Sequence, residues 1–106
     1  MRRRWATSVL HQIRGLAAQG KVRFTLKAFQ ELARLGIGLD EEDACDVLAN
    51  LKPSDLVGRL VSEKTSEWMY VFKPSVAGTV VYVKVVLRGN CVVISFHEEE
   101  DSDEDE

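Results

Sequence analysis

The apolar and polar positions divide the chain into a helical first half and an extended second half. Between residues 7 and 19, Val9, Leu10, Ile13, Leu16 and Ala17 recur on one stripe, and Gly20 supplies a stop. Thr7 or Ser8 is expected to cap this helix, with His11 at the edge of its stripe. Lys21 to Phe24 reads as a short strand or an extended link. A second helix over residues 26–35, capped by Thr25, is expected to turn Phe29, Leu32 and Ala33 inward. Asp40 caps a third, in which Ala44, Val47, Leu48 and Leu51 form the buried stripe. Glu41, Glu42 and Asp43 suit the positive end of that helix's dipole and need no metal to explain them.

After Pro53 the period changes from helical to two. Residues 56–63 read as a strand, and Trp68 to Lys73 as a clearer one with Trp68, Tyr70 and Phe72 facing the core. The strongest signal comes last, where two β-branched runs flank Gly89-Asn90 and predict a two-residue type II′ hairpin. That register opposes Val83 to Phe96 and Val85 to Ile94 on an apolar face. On the other face it opposes Tyr82 to His97 and Lys84 to Ser95. Opposed residues have Cβ atoms about 4.5–5.5 Å apart, so these four polar side chains would cluster. Helices followed by a meander predict an α+β fold, its N-terminal helices packed on one face of a C-terminal antiparallel sheet.

Composition refines this picture. A chain of 106 residues makes one domain, expected over residues 1–97 with an acidic tail at 98–106. Eight of the nine tail residues are acidic, which hides a basic body of fourteen cationic against nine anionic side chains. A basic body suits a polyanionic partner. Arg2 to Arg4 are expected to form a mobile basic arm, and the tail to be disordered. Cys45 and Cys91 stand alone among apolar neighbours and read as buried thiols of a reducing cytosol. No apolar run follows the basic start, and none is long enough to span a membrane, so a cytoplasmic location is expected. No phosphate loop, GxSxG elbow, HExxH or zinc spacing occurs, and no metal or cofactor is expected.

Several points in order along the chain carry a resemblance. They are Gly20 to Arg23, Leu35-Gly36, Leu51 through Ser54-Asp55, and Trp68 with Val71 to Pro74. Gly78 with Val81 to Lys84, and the closing Val93 to Phe96, complete the series. The chain resembles the MqsR family (motility quorum-sensing regulator), RNase toxins of bacterial toxin–antitoxin pairs with a RelE-like fold. The resemblance implies a cognate antitoxin as partner and single-stranded mRNA as substrate, cut without a metal by attack of a ribose 2′-OH. It places the family's tyrosine at Tyr82. The late lysine falls on His97, the glutamine after the strand tryptophan on Met69, and the lysine after the Ser-Asp turn on Gly58, beside Arg59.

Imidazole exchanges protons near neutrality more readily than an ordinary lysine, and a guanidinium offers a phosphate a bidentate fork. The expected catalytic residues are therefore Tyr82, His97 and Arg59, with Lys73, Lys84 and Ser95 binding RNA. The alternative is a non-catalytic module of the same fold that binds RNA or a partner protein.

Overall fold

A computed structural model describes residues 3–99. Helix α1 (Arg4–Ala18) leads into strand β1 (Val22–Phe24), then α2 (Leu26–Arg34) and α3 (Glu41–Ala49). A 3-10 turn at Pro53–Asp55 opens the extended half: β2 (Leu56–Val61), β3 (Trp68–Phe72), β4 (Ser75–Val76), β5 (Thr79–Leu87) and β6 (Cys91–Glu98). The strands run in the order β1-β6-β5-β3-β2, with short β4 paired to the start of β5. The fold is α+β, as expected. The sheet is mixed, because β1 from the helical half pairs parallel to β6.

Helix α1 begins earlier than Thr7 because tertiary contacts replace a side-chain cap. Trp5 packs its ring 5.8 Å from that of Tyr70, and Arg3 donates from Nη1 to the Val57 carbonyl at 3.2 Å. Arg3 and Arg4 are thus tied to the fold, while Arg2 lies outside the described residues. Thr25 caps α2 by accepting from the Ala28 N–H at 3.1 Å. The inward face of α2 differs from expectation. Ala28 and Leu32 are buried, whereas Phe29 and Ala33 are exposed. The reason is the demand made by Lys27 and Glu31, described below, which fixes the rotation of the helix about its axis. Helix α3 follows its pattern, with Asp40 and Asp43 forming a reciprocal capping box.

One core joins α1, α2 and α3 to Tyr70, Phe72, Val81, Val83, Val85, Cys91, Val93 and Phe96 of the sheet. The hairpin departs from the expected register near its turn. Val83 pairs with Phe96, Lys84 with Ser95 and Tyr82 with His97, but Val85 then pairs with Val93 and Leu87 with Cys91. A bulge at Ile94 absorbs the difference, and the turn holds Arg88, Gly89 and Asn90, with Gly89 at φ 78°. Val93 therefore takes the core position expected for Ile94. Four consecutive apolar residues from Cys91 to Ile94 leave the local pattern blind to such a slip.

Strand β6 extends through Glu98, and the Glu99 N–H donates to the Val80 carbonyl at 2.9 Å, so the ordered part reaches past residue 97. Residues 100–106, the rest of the expected tail, lie outside the described part. No helix among the described residues is long and apolar enough to cross a membrane.

Both cysteines are free thiols, Cys91 buried and Cys45 half-buried. Burial, reinforced by the nearby Cys45, pushes the Cys91 thiol up to about 12. A thiol alkylating agent at pH 8 should therefore leave Cys91 unmodified in the native protein and label it only after unfolding, as read by mass spectrometry.

Candidate active site

Alternation along β5 sends Val81, Val83 and Val85 to the helical core and Tyr82, Lys84 and Val86 to the opposite face. The bulge in β6 keeps Phe96 in the core while turning Ser95 and His97 to that same opposite face. The rings of Tyr82 and His97 stack with centroids 5.0 Å apart and an interplanar angle of 9°. His97 Nδ1 donates to the Glu98 carbonyl at 2.8 Å, which places the neutral ring's lone pair on Nε2. Tyr82 is half-buried, while His97 lies beneath it at 5% exposure. The phenol is thus the outer member of the pair.

Lys84 is 2% exposed, with Nζ 5.9 Å from the centroid of the Tyr82 ring. Ser95, opposite it, is fully buried and accepts from Lys27 Nζ at 3.0 Å. The quartet Tyr82, Lys84, Ser95 and His97 is brought together as the pattern predicted. Ser95 holds a lysine in place; its burial keeps it from direct contact with an incoming strand.

Lys27 and Glu31 were not singled out by sequence reasoning. Strand β1 ends opposite Val93, leaving the edge of β6 that faces away from β5 without a neighbouring strand beyond that point. Helix α2 supplies the missing partners. Lys27 Nζ donates to the Ile94 carbonyl at 3.3 Å, and Glu31 accepts from the Phe96 N–H at 2.9 Å. The two side chains also form an ion pair at 3.0 Å. Their i,i+4 spacing was legible as a helix-surface pair, but nothing local showed that it would satisfy a strand edge.

Arg59 stands elsewhere. It pairs with Tyr70 on β3, so its side chain shares the helix-covered face, opposite to Tyr82 and His97. Its guanidinium lies 4.4 Å from the ring centroid of Trp5 and 3.9 Å from that of Trp68. The guanidinium is thus stacked between two indoles, and the fold does not bring Arg59 to the face of Tyr82 and His97. Trp68 is correspondingly only partly covered, although Tyr70 and Phe72 of the same stripe are core. Gly58, one residue earlier, pairs with Val71, which pairs with Lys84. Its Cβ direction therefore points to the site face, and an added Cβ would meet nothing within 4 Å.

Lys73 continues β3 toward Tyr82, and its Nζ is 3.3 Å from Glu99.

With this geometry in place, two comparisons bear on it. The family model described as "Motility quorum-sensing regulator, toxin of MqsA" matches residues 5–98. The chain belongs to the MqsR toxin family. It is also 28% identical, over 99 residues, to the mRNA interferase toxin MqsR of Escherichia coli (strain K12), covering 92% of this chain and 99% of that one. The matched span runs from the first turn of α1 to the end of β6.

The Lys73–Glu99 pair is a direct test of how the chain's own acids bear on the site. Glu99→Gln should tighten binding of a single-stranded RNA several-fold at low salt, measured by fluorescence anisotropy. The gain should shrink above 1 M salt, where charge is screened within about 3 Å. Equal affinities at low salt would show that Lys73 takes no part in RNA binding.

Proposed function

We propose that the chain is the toxin of a toxin–antitoxin pair, an endoribonuclease that cleaves single-stranded mRNA. Family membership, and a relative named as an mRNA interferase, support the class. The observation that carries the chemistry is the Tyr82–His97 stack beside Lys84, on the face turned away from the helices.

The reaction needs little machinery. The ribose O2′ attacks the adjacent phosphorus, an O2′–P bond forms and the P–O5′ bond breaks. One proton leaves O2′ and another reaches O5′. Tyr82 and His97 exchange these protons, with the half-buried phenol touching the substrate and His97 Nε2 behind it. Lys84 sets positive charge beside this pair where the phosphorane's charge develops, with Lys73 and Lys27, held by Glu99 and Glu31, at its margins. Because Lys84 is buried, its charge acts through a lower dielectric than water and stabilises that charge more strongly. Ser95 positions Lys27. The protein works in the cytoplasm, where its mRNA is, and its partner is a cognate antitoxin. The apolar side chains exposed on edge strand β2, Val57, Leu60 and Val61, offer that partner a surface for strand addition.

Expression of the chain alone should arrest growth and deplete mRNA, and co-expression of the antitoxin encoded beside it should restore growth. Rescue should weaken when Leu60 and Val61 are changed to lysine. Tyr82→Phe and His97→Ala should each lower kcat about 100-fold or more, the usual scale of lost acid–base catalysis. Growth unaffected by the wild-type chain at high yield would defeat the toxin reading, leaving a binding module.

Gly58→Lys tests the same site by gain. The position faces the site, has open space and carries no positive φ, so a lysine fits without strain. It should raise cleavage about tenfold by adding a cation to the row that runs from Gly58 through Val71 to Lys84. A rate unchanged by the substitution would show that the phosphate does not pass over this row.

A further inference from the structure

The face that carries Tyr82 and Lys84 continues along β5 to Val86, and there it opens into a cavity of about 240 Å³. Its volume lies below the roughly 300–1,000 Å³ of drug-sized sites, which leaves room for one small planar group. Met69, Val86 and Ile94 make an apolar floor, with Ile94 reaching it only because of the bulge in β6. Three cationic side chains stand around the floor: Lys27 from α2, Lys64 from the loop between β2 and β3, and Arg88 from the hairpin turn.

These walls are built to stay in place. Arg88 is gripped by Glu67 through two bonds of 2.6 and 2.8 Å, which fixes the plane of its guanidinium. The Ser62 Oγ accepts from the N–H groups of Lys64 and Thr65, ordering the loop that carries Lys64. Lys64 itself enters no ion pair among the described residues, so its charge is open to an incoming anion. Lys27 joins the cavity to the site, since it also holds Ser95 opposite Lys84. Tyr82, Lys84 and Val86 follow one another on one face at about 6.6–6.8 Å per pair of residues. A strand of RNA lying over β5 would thus carry a phosphate past the buried Lys84 and bring its neighbouring base to the mouth of the cavity by Val86.

We propose that this cavity is the subsite for the base next to the scissile phosphate of a single-stranded RNA, stacked on Met69, Val86 and Ile94 with its own phosphate at Lys64. The guanidinium plane of Arg88 gives the base a second stacking partner. An apolar floor with Lys64, unpaired among the described residues, at its edge, and Lys27 and Arg88 held by Glu31 and Glu67 beside it, fits a nucleotide, which joins an apolar π-face to an anion. This subsite rests on the reading of the protein as an RNA-cleaving toxin, but binding alone can test it.

The probe is a fluorescent 2′-O-methyl RNA pentamer, which lacks the attacking hydroxyl, together with five versions each missing one base. With the full wild-type chain, removal of one particular base should weaken binding about tenfold and the other four removals much less. In Ile94→Trp, which fills the cavity, that positional loss should disappear. Lys64→Ala should weaken all six probes by a few-fold and lower the salt dependence by about one ion. Should Ile94→Trp not fold, as judged by thermal melting, Arg88→Ala at the exposed turn replaces it, with the same expected result. A positional loss that survives the cavity variant overturns the subsite, as does a wild-type profile with no preferred position. A wild-type profile that shows the position, from a chain that leaves unmodified RNA intact, keeps the subsite and overturns only the nuclease reading.

Discussion

The single inserted residue at Ile94 is the constraint on which the rest of the structure depends. Strand β6 must satisfy β1 on one side and β5 on the other, and the two partners demand different parities. Cys91 and Val93 face the core where β1 pairs, while Phe96 faces it farther on. Core positions separated by three residues cannot lie on one face of a regular strand, where alternation is strict. The bulge resolves the conflict. It also turns Ile94 and Ser95 both to the far face, so the apolar floor of the cavity and the buried serine of the site share one cause.

The second constraint is the exposed backbone of β6 beyond β1. Lys27 and Glu31 of α2 satisfy it, and in doing so they place a positive charge beside Ser95 and Lys84. One ion pair thus covers an edge that would otherwise invite pairing with another chain, and equips the site. It also explains why α2 turns small Ala28 to the core and leaves Phe29 outside. A helix rotated to bury Phe29 would carry Lys27 away from the strand.

Gly58, Met69 and His97 share the site face with its cations. Where a lysine would rise from Gly58, there is open space. Lys27 arrives from the opposite edge of the sheet. His97 stacks on Tyr82, the two rings nearly parallel. Glu99 meanwhile pairs with Lys73, so the first acids after the last strand bear directly on the charge of the site.

The sequence by itself determined the elements, the separation of helical from extended halves and the opposition of Tyr82 to His97. Those features rest on local periodicity and capping, which act between residues a few positions apart. Thr25, Asp40 and the alternation of residues 79–87 all behave as their types require. Local pattern was silent where several apolar residues stood in a row, as from Cys91 to Ile94, because every register then buries something suitable. Arg59 entered the expected site only as the cation next to Gly58 in sequence, and neighbours along a strand point to opposite faces. The approach of Trp5 from α1, far away in sequence, holds its guanidinium on the helix-covered face. The partnership of α2 with the β6 edge was likewise decided by tertiary structure alone. It depends on where β1 ends against a strand some seventy residues later, and no window of sequence contains both.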